Sequence, residues 1–400
     1  MDVPREYVKL GLRFNRLLPG MVDSYVGSTV LRAQVRAEPR PRPSALARQA
    51  RLLLRELPSA GLSGDRVDYL TGQLTALECA ARRLDGERVG YLDEVAAYLQ
   101  VRLEPGDPEE YFQIHRTLDE LLPGTGPLTT RYADHRNRDR CPGTLLSTVV
   151  RALSRALRRR VRDAYDLPDG ERVEYRVVTG QPWSGFNHYL GDYRSRVAIN
   201  ADLPHRLVNL PQLVAHEAYP GHHTENCTKQ RRLVERDNRI EHSVFLVNTP
   251  ECLVTEGLAD LGLLAAVGPG WGRWTQQVLA GLGLGFAGDL AERVSDAVVG
   301  LDRVRQDAAI LLHDRGRDQA EVVSYLCRWL MISEGRARES LRFIADPLWR
   351  AYTSTYVEGR RLLGRWLDAR PAGQSLPERF ARLLAEPLTP ARIATEIASR

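Results

Sequence analysis

The chain has 400 residues, of which 43% are hydrophobic and 27% charged, and a formal net charge of +5. This composition is typical of an ordinary soluble globular protein and excludes disordered and collagen-like classes. The basic residues are almost all arginine, with Lys9 and Lys229 the only lysines. The densest basic run, residues 158–162, lies in a helical pattern rich in Leu and Val. That pattern favours a solvated helix face over a nucleic-acid-binding surface.

The N-terminal sequence MDVPREYVKLGLRF carries charges where a signal peptide has its apolar segment. No apolar run of about 18 residues, the length needed to span a bilayer, occurs later in the chain. We therefore expect a cytoplasmic protein that acts without a membrane or nucleic acid. The five cysteines are scattered and form no Cys-x-x-Cys pair, which is typical of reduced and mostly buried thiols.

Apolar residues recur at three- and four-residue spacing along most of the chain, which predicts amphipathic helices. The clearest helices are predicted over residues 44–57, 64–84, 92–103, 145–165, 290–313 and 321–330. Residues 172–179 alternate and are rich in β-branched side chains, and residues 195–200 are a second strand candidate, so the sequence predicts two short strands. The sequence thus predicts a mainly α-helical fold with a small β element. We expect one compact domain over residues 1–400, with a helical part (1–165) and a catalytic part (166–400).

The stretch LVAHEAYPGHH at residues 213–223 begins like the zinc motif His-Glu-x-x-His. Pro211 predicts a helix start, and the helix is expected to run to about Tyr219. Pro220 stands where the second histidine of the motif belongs, and its ring collides with the carbonyl of His216. The helix must therefore distort inside the motif.

Two histidines after this proline are candidates for the second metal ligand. On an undistorted helix, His222 would point roughly 240° away from His216, and His223 would lie roughly 10 Å further along the axis. A local widening of the helix over residues 219–221 would bring His222 back to His216, and Gly221 supplies the backbone freedom. We favour His222 as the ligand and expect His223 to support it or to face the substrate.

A third ligand is expected from another helix, and Glu256 in the sequence LVTEGLAD is the candidate. The small residues Gly257 and Ala259 would let its helix approach the metal helix closely. Three protein ligands leave one position for water, as in catalytic zinc sites. Glu217 is then the expected general base. Zinc is the predicted cofactor, although manganese and cobalt use the same ligand types.

These motifs resemble a known bacterial family, the domain of unknown function 885, which belongs to the gluzincin clan of zinc metallopeptidases. The resemblance is carried by HEAYPGHH at 216–223 and EGLA at 256–259, and it extends to NHYLGDYRSRVAIN at 187–200 and VDSYVG at 22–27. It implies a mostly helical gluzincin-like fold, zinc-dependent hydrolysis, His216, His222 and Glu256 as ligands, and Glu217 as base. Leu258 and Thr224-Glu225 depart from the family pattern, which carries Trp and Leu-Gln there.

Other side chains are candidates for contacting the substrate. Tyr356 is the first choice to stabilise the oxyanion of a tetrahedral intermediate, and Tyr352 lies one helical turn before it. Arg196 could meet a substrate carboxylate, and Asn200 could hydrogen-bond substrate backbone. A structural role is an alternative for each of these residues.

Three functional hypotheses follow from these residues. The first is a zinc hydrolase that cleaves an amide or peptide bond in a short peptide. The second keeps the metal but removes an acyl or aminoacyl group from a small metabolite. The third is a non-catalytic helical binding protein with a structural metal.

Overall fold

The computed structural model describes residues 1–181 and 183–399, and these residues are mostly helical. The first part of the chain contains helices and one short strand, in the order α1 (Val3–Leu17), β1 (Val22–Tyr25), α2 (Thr29–Ala37), α3 (Pro43–Glu56), α4 (Gly64–Leu84), α5 (Tyr91–Leu99), α6 (Pro108–Leu121), α7 (Leu128–Arg138) and α8 (Leu146–Tyr165). Several of these helices bury one apolar face and expose the other, as their sequence spacing predicts.

A small sheet follows, made of β2 (Arg172–Val178), β3 (Gly185–Gly191) and β4 (Arg194–Asn200). The strand order is β2-β4-β3, with β2 parallel and β3 antiparallel to the central strand β4. Strands β2 and β4 match the two predicted strands. Strand β3 was not predicted, because its sequence GFNHYLG contains glycines and lacks a β-branched run.

The chain then forms the short helices α9 (Asn209–Glu217) and α10 (His222–Lys229), with a π-helix over Gln230–Arg236 continuing α10. Strand β5 (Val244–Leu246) pairs antiparallel with β1 and leads into the long helix α11 (Pro250–Val267). The remaining helices are α12 (Trp271–Ala280), α13 (Gly288–Val298), α14 (Arg303–His313), α15 (Gln319–Leu330), α16 (Glu334–Ala345), α17 (Thr353–Asp368), α18 (Leu376–Ala385) and α19 (Pro390–Ala398).

The prediction of a mainly helical fold with a small β element is confirmed. The helix predicted over 64–84 coincides with α4, whereas α5 ends earlier than expected because Gln100 adopts the left-handed conformation. The prediction of a single helix over residues 290–313 is wrong. A short 3₁₀ turn at Val299–Asp302 separates α13 from α14 there, and Gly300 in this turn packs against Ile114 of α6.

Helix α11 is the central helix of the fold and is buried on nearly all sides. It packs against α17 on one side and α9 on another. Gly257 makes the first contact possible, since a Cβ there would lie 2.5 Å from the carbonyl carbon of Gly359 in α17. Gly262 makes the second contact, with α9, possible because it lies against Pro220 and the carbonyl of Ala215. The expectation that Gly257 faces the metal helix was therefore wrong.

Among the described residues, no single helix is long and apolar enough to cross a membrane; α11 and α12 reach that threshold only as a pair bent by 74°. All five cysteines are free, and four of them are buried. The boundary at residue 165 and the cytoplasmic location stay predictions.

Candidate metal centre

Three side chains from three separate helices converge at one point. His216 lies in the last turn of α9, His222 is the first residue of α10, and Glu256 lies in the middle of α11. The Nε2 atoms of the two histidines are 3.1 Å apart. The carboxylate oxygens of Glu256 lie 3.4 Å from Nε2 of His216 and 3.7 Å from Nε2 of His222. Two imidazoles that share one zinc ion have nitrogens about 3–3.5 Å apart, so this spacing fits a bound cation.

The state of Glu256 and His222 also fits a divalent cation. Oε2 of the buried Glu256 forms no hydrogen bond within the described part of the chain. Burial lowers the pKa of His222 to about 4, although the charge of Glu256 opposes this effect. At neutral pH this imidazole is therefore uncharged and has a free lone pair, as a metal ligand requires. Two imidazoles and one carboxylate leave further coordination positions open.

The break between α9 and α10 directs His222 toward His216. Helix α9 ends at Glu217 because Pro220 cannot continue it, and Ala218 already has non-helical angles (φ −131°, ψ −76°). The amide of Gly221 donates to the carbonyl of Ala215 over 2.8 Å. A Cβ at Gly221 would lie 1.9 Å from the carbonyl oxygen of His216, so this close return of the chain requires glycine. The expected widened helix running to Tyr219 is instead two separate helices.

Asp260 is a member of the site that the sequence analysis missed. Its Oδ1 accepts a hydrogen bond from Nδ1 of His216 over 3.0 Å. Such a carboxylate fixes the orientation of a metal-binding imidazole and raises its basicity. Asp260 follows Glu256 by four residues and therefore lies on the same face of α11. This four-residue spacing is the signal that could have identified it.

Glu217, the candidate base, is buried beside His216 and directed toward β3. Burial raises its pKa to about 7; the charge of His216 lowers it, and the charge of Glu256 raises it further. The side-chain amide of Asn187 in β3 donates to the Glu217 carbonyl over 2.5 Å. A Cβ at Gly185 in the same strand would lie 2.8 Å from Leu213 and 3.2 Å from Oε1 of Glu217. The unpredicted strand β3 therefore both anchors α9 and leaves room for the carboxylate.

The two candidate tyrosines, Tyr352 just before α17 and Tyr356 within it, occupy different positions. The Tyr352 hydroxyl donates to Oε1 of Glu256 over 2.6 Å, so it orients a candidate ligand rather than facing a substrate. The Tyr356 ring centre lies 6.4 Å from that of His216, and its side chain is 36% exposed. Within the described residues the Tyr356 hydroxyl has no hydrogen-bond partner. It is therefore free to donate to a bound molecule.

His223 does not face the site, so of its two expected roles the structure favours support of His222 over contact with the substrate. Its ring is completely buried, with Nδ1 2.8 Å from the Ser195 hydroxyl of β4 and Nε2 2.8 Å from Glu171. Glu171 also accepts hydrogen bonds from Tyr219 over 2.7 Å and from Arg158 over 2.5 Å. This network fixes the first turn of α10 to the sheet and to α8. His223 thus supports the position of its neighbour His222.

Arg196 and Asn200, both in β4, have partners other than the three convergent side chains. Arg196 pairs with Glu174 over 3.4 Å on a solvent-exposed part of the sheet. Asn200 is fully buried, donates to the carbonyl of Gln181 and accepts from the amide of Asp202. Its side chain therefore stabilises the turn after β4. The structure thus gives both side chains structural partners, and their expected substrate contacts stay predictions.

Comparisons with known proteins extend the description of the fold. No family model and no curated protein matches the chain. A presumed lipoprotein from Colwellia psychrerythraea aligns with a TM-score of 0.53 and 16% identity, covering 89% of this chain and 66% of that one. A presumed lipoprotein of unknown function from Shewanella oneidensis aligns with a TM-score of 0.52 and 13% identity, covering 100% and 82%.

A third solved structure, the M32 carboxypeptidase from Deinococcus radiodurans R1, aligns with a TM-score of 0.44 and 12% identity over 100% of this chain and 95% of that one. This similarity is too low to bear on function. The chain spans slightly less than two-thirds of the Colwellia structure. The resemblance to the domain of unknown function 885 therefore stays a prediction, and the chain is similar in fold to the Colwellia and Shewanella structures.

Proposed function

We propose that this protein is a zinc-dependent hydrolase that cleaves an amide bond in a short peptide. The observation that carries the proposal is the convergence of His216, His222 and Glu256 with 3.1 Å between the two imidazole nitrogens. These three residues would hold the ion. A zinc ion in such a site supplies Lewis acidity and lowers the pKa of water.

The surrounding residues have separate roles in the proposed reaction. Asp260 holds the imidazole of His216 through Nδ1, and Tyr352 holds the carboxylate of Glu256. Glu217 accepts a proton from the attacking water and returns it to the leaving amine. Burial makes this carboxylate a stronger base than an exposed one, which suits a group that accepts and returns a proton. The free hydroxyl of Tyr356 donates to the oxygen on which negative charge develops.

The substitution Glu217→Gln tests this proposal because it removes the base and keeps the size of the side chain. We expect the variant to retain bound zinc and to lose at least about 100-fold in kcat, the usual contribution of a positioned base. The measurements are zinc content and turnover of a panel of short peptides and acylated small molecules. Glu174→Gln, on the exposed side of the sheet, is the matched control and is expected to keep full activity.

The panel also separates the alternatives. Turnover of acylated small molecules without turnover of any peptide would favour a metabolite hydrolase. Equal turnover by the wild-type protein and Glu217→Gln would contradict the mechanism. Zinc binding without any hydrolysis would leave a structural metal as the better explanation.

A further inference from the structure

Lys229, the last residue of α10, pairs with two buried carboxylates that belong to different helices. Its Nζ lies 2.7 Å from Oε1 of Glu225, one turn earlier in α10, and 2.7 Å from Oε1 of Glu251 in the first turn of α11. The side chains of Glu225 and Glu251 are 2% and 7% exposed, and that of Lys229 is 13% exposed. The ammonium group therefore joins α10 to α11 at a place where solvent screens the attraction only weakly.

Two hydroxyl groups complete this arrangement, which we call the Lys229 cluster. The hydroxyl of Thr255 in α11 donates to Oε1 of Glu225 over 2.8 Å. The hydroxyl of Tyr69 in α4 donates to Oε2 of Glu251 over 2.7 Å. Oε2 of Glu225 is buried and has no hydrogen-bond partner among the described residues. The charge of Glu225 thus depends on Lys229 and Thr255, because a buried carboxylate needs partners to stay ionised.

The Lys229 cluster is close to two candidate metal ligands on both of its helices. Thr255 directly precedes Glu256 in α11, and Glu225 follows His222 by three residues in α10. The hydrogen bond between Thr255 and Glu225 therefore joins the two helices within one turn of each ligand. Oε1 of Glu256 and Nε2 of His222 are 3.7 Å apart. A shift of α10 along or away from α11 would change this distance.

The chemistry of a lysine suits this position. The chain uses arginine for all but two of its 56 lysine and arginine residues, and Lys229 is one of the two exceptions. A compact ammonium group directs three donors to separate acceptors, whereas the planar guanidinium group favours two acceptors on one side. Burial alone would lower the pKa of Lys229, but the charges of Glu225 and Glu251 raise it above its ordinary value. The cation therefore stays charged at neutral pH and bridges both carboxylates.

We propose that Lys229 is a positioning residue of the metal centre, which holds α10 and α11 at the spacing at which His222 and Glu256 share one cation. This inference rests on the metal centre of the proposed function and assigns a role to an ion cluster that contains none of the three ligands. The other histidine is joined to α11 separately, through the hydrogen bond between His216 and Asp260. Each ligand-bearing helix thus has its own polar connection to α11.

The test separates the position of the ligands from the charge around them. The double substitution Lys229→Met/Glu251→Gln removes the contact between the helices and keeps the formal net charge of the cluster. We expect its zinc Kd to rise at least about tenfold, the usual effect of losing a group that supports a metal ligand. The visible absorption spectrum of the cobalt(II)-loaded protein is expected to change as well, because it reports coordination geometry. Lys229→Met alone removes a positive charge, which by electrostatics alone would tighten zinc binding, whereas the proposal predicts weaker binding.

Asp307→Asn is the matched control for a loss of stability. Asp307 is a buried carboxylate that accepts hydrogen bonds from Tyr111 over 2.5 Å and from Tyr325 over 2.8 Å. We expect denaturant unfolding to show a less stable protein, while the zinc Kd and the cobalt spectrum stay unchanged. Thr255→Val keeps every charge and removes the hydrogen bond to Glu225. It is expected to weaken zinc binding, and it tests the same connection if the Lys229 variants do not fold.

An unchanged zinc Kd and cobalt spectrum in the double variant would overturn the inference. Tighter zinc binding by Lys229→Met, or an equal loss of affinity in Asp307→Asn, would also overturn it. Absence of metal binding by the wild-type protein would reject the inference together with the metal centre. The proposed function fails separately. Lys229-dependent metal binding without hydrolysis would reject the hydrolase and leave the positioning role standing, whereas Glu217-dependent hydrolysis with unchanged zinc affinity in the Lys229 variants would do the reverse.

Discussion

At the scale of single residues, the site depends on contacts that hold the candidate ligands in orientation. His216 is held by Asp260, Glu256 by Tyr352, and the helix start at His222 by the buried network of His223. Each contact removes rotamer freedom that metal binding would otherwise have to remove. Of these supporting residues, only His223 and Tyr352 were singled out from the sequence, and Tyr352 was expected to contact the substrate.

Asp260 provides the clearest prediction at this scale. We expect Asp260→Ala to weaken zinc binding by about 10- to 100-fold, because His216 loses the carboxylate that fixes its ring and raises its basicity. Competition with a chelating dye measures the zinc Kd. Asp163→Asn, remote from the site, serves as the control. An unchanged Kd in Asp260→Ala would mean that the 3.0 Å contact does not support a metal ligand.

At the scale of helices and strands, close packing at glycines determines where the ligands lie. The crossing of α11 and α17 at Gly257 and Gly359 sets Glu256 beside Tyr352, which directly precedes α17. The return of the chain at Gly221 sets His222 beside His216. At these glycines the backbones of two segments are in direct contact. An added side-chain atom would therefore displace a whole helix.

Gly359→Ala tests the helix crossing. A Cβ at this position would lie 2.6 Å from the Leu253 carbonyl oxygen and 3.0 Å from the Gly257 backbone. We expect the free energy of unfolding to fall by about 1–3 kcal/mol, the usual cost of overpacking, and zinc affinity to fall with it. Gly364→Ala in the same helix has open space at its Cβ and is the matched control. It is expected to be neutral or up to about 1 kcal/mol stabilising, from helix propensity. Similar destabilisation by both substitutions would contradict the role of the crossing.

At the scale of the whole molecule, folding also buries polar groups that are not part of the candidate site. His242 lies against the Tyr69 ring with 4.3 Å between ring centres, and neither of its nitrogens has a hydrogen-bond partner within the described residues. Burial lowers its pKa from 6.5 to about 4, although Glu251 and Glu241 oppose this effect. The folded protein therefore keeps His242 neutral in a range where the unfolded chain binds a proton.

The sign of the resulting pH dependence follows from this difference. The contribution of neutral His242 is fully present above about pH 6.5 and is lost as the pH falls toward about 4, because protons then favour the unfolded chain. His242→Phe keeps a ring against Tyr69 and removes the titration. We expect the stability of the wild-type protein to fall by about 1.5 kcal/mol more than that of the variant between about pH 6.5 and about pH 5. Denaturant unfolding at both pH values measures this, and parallel losses would contradict it.

Local sequence patterns were sufficient to predict the features that depend on neighbouring residues. Apolar spacing located the main helices, alternation located β2 and β4, and Pro220 showed that the metal motif could not be one regular helix. The adjacent residues His216 and Glu217, together with Glu256 downstream, also indicated metal chemistry. Each of these signals lies within a few residues, because helix geometry and proline sterics are local.

The directions of side chains from distant segments followed only from the packing of the folded chain. The fold turned His222 toward His216 and His223 into the protein, directed Gly257 to α17, and brought Asp260 against His216. Residues 216 and 256 lie far apart in the chain, and no local pattern encodes their distance. That distance results from helix packing and strand pairing, in which the fit of many buried side chains fixes the position of each element.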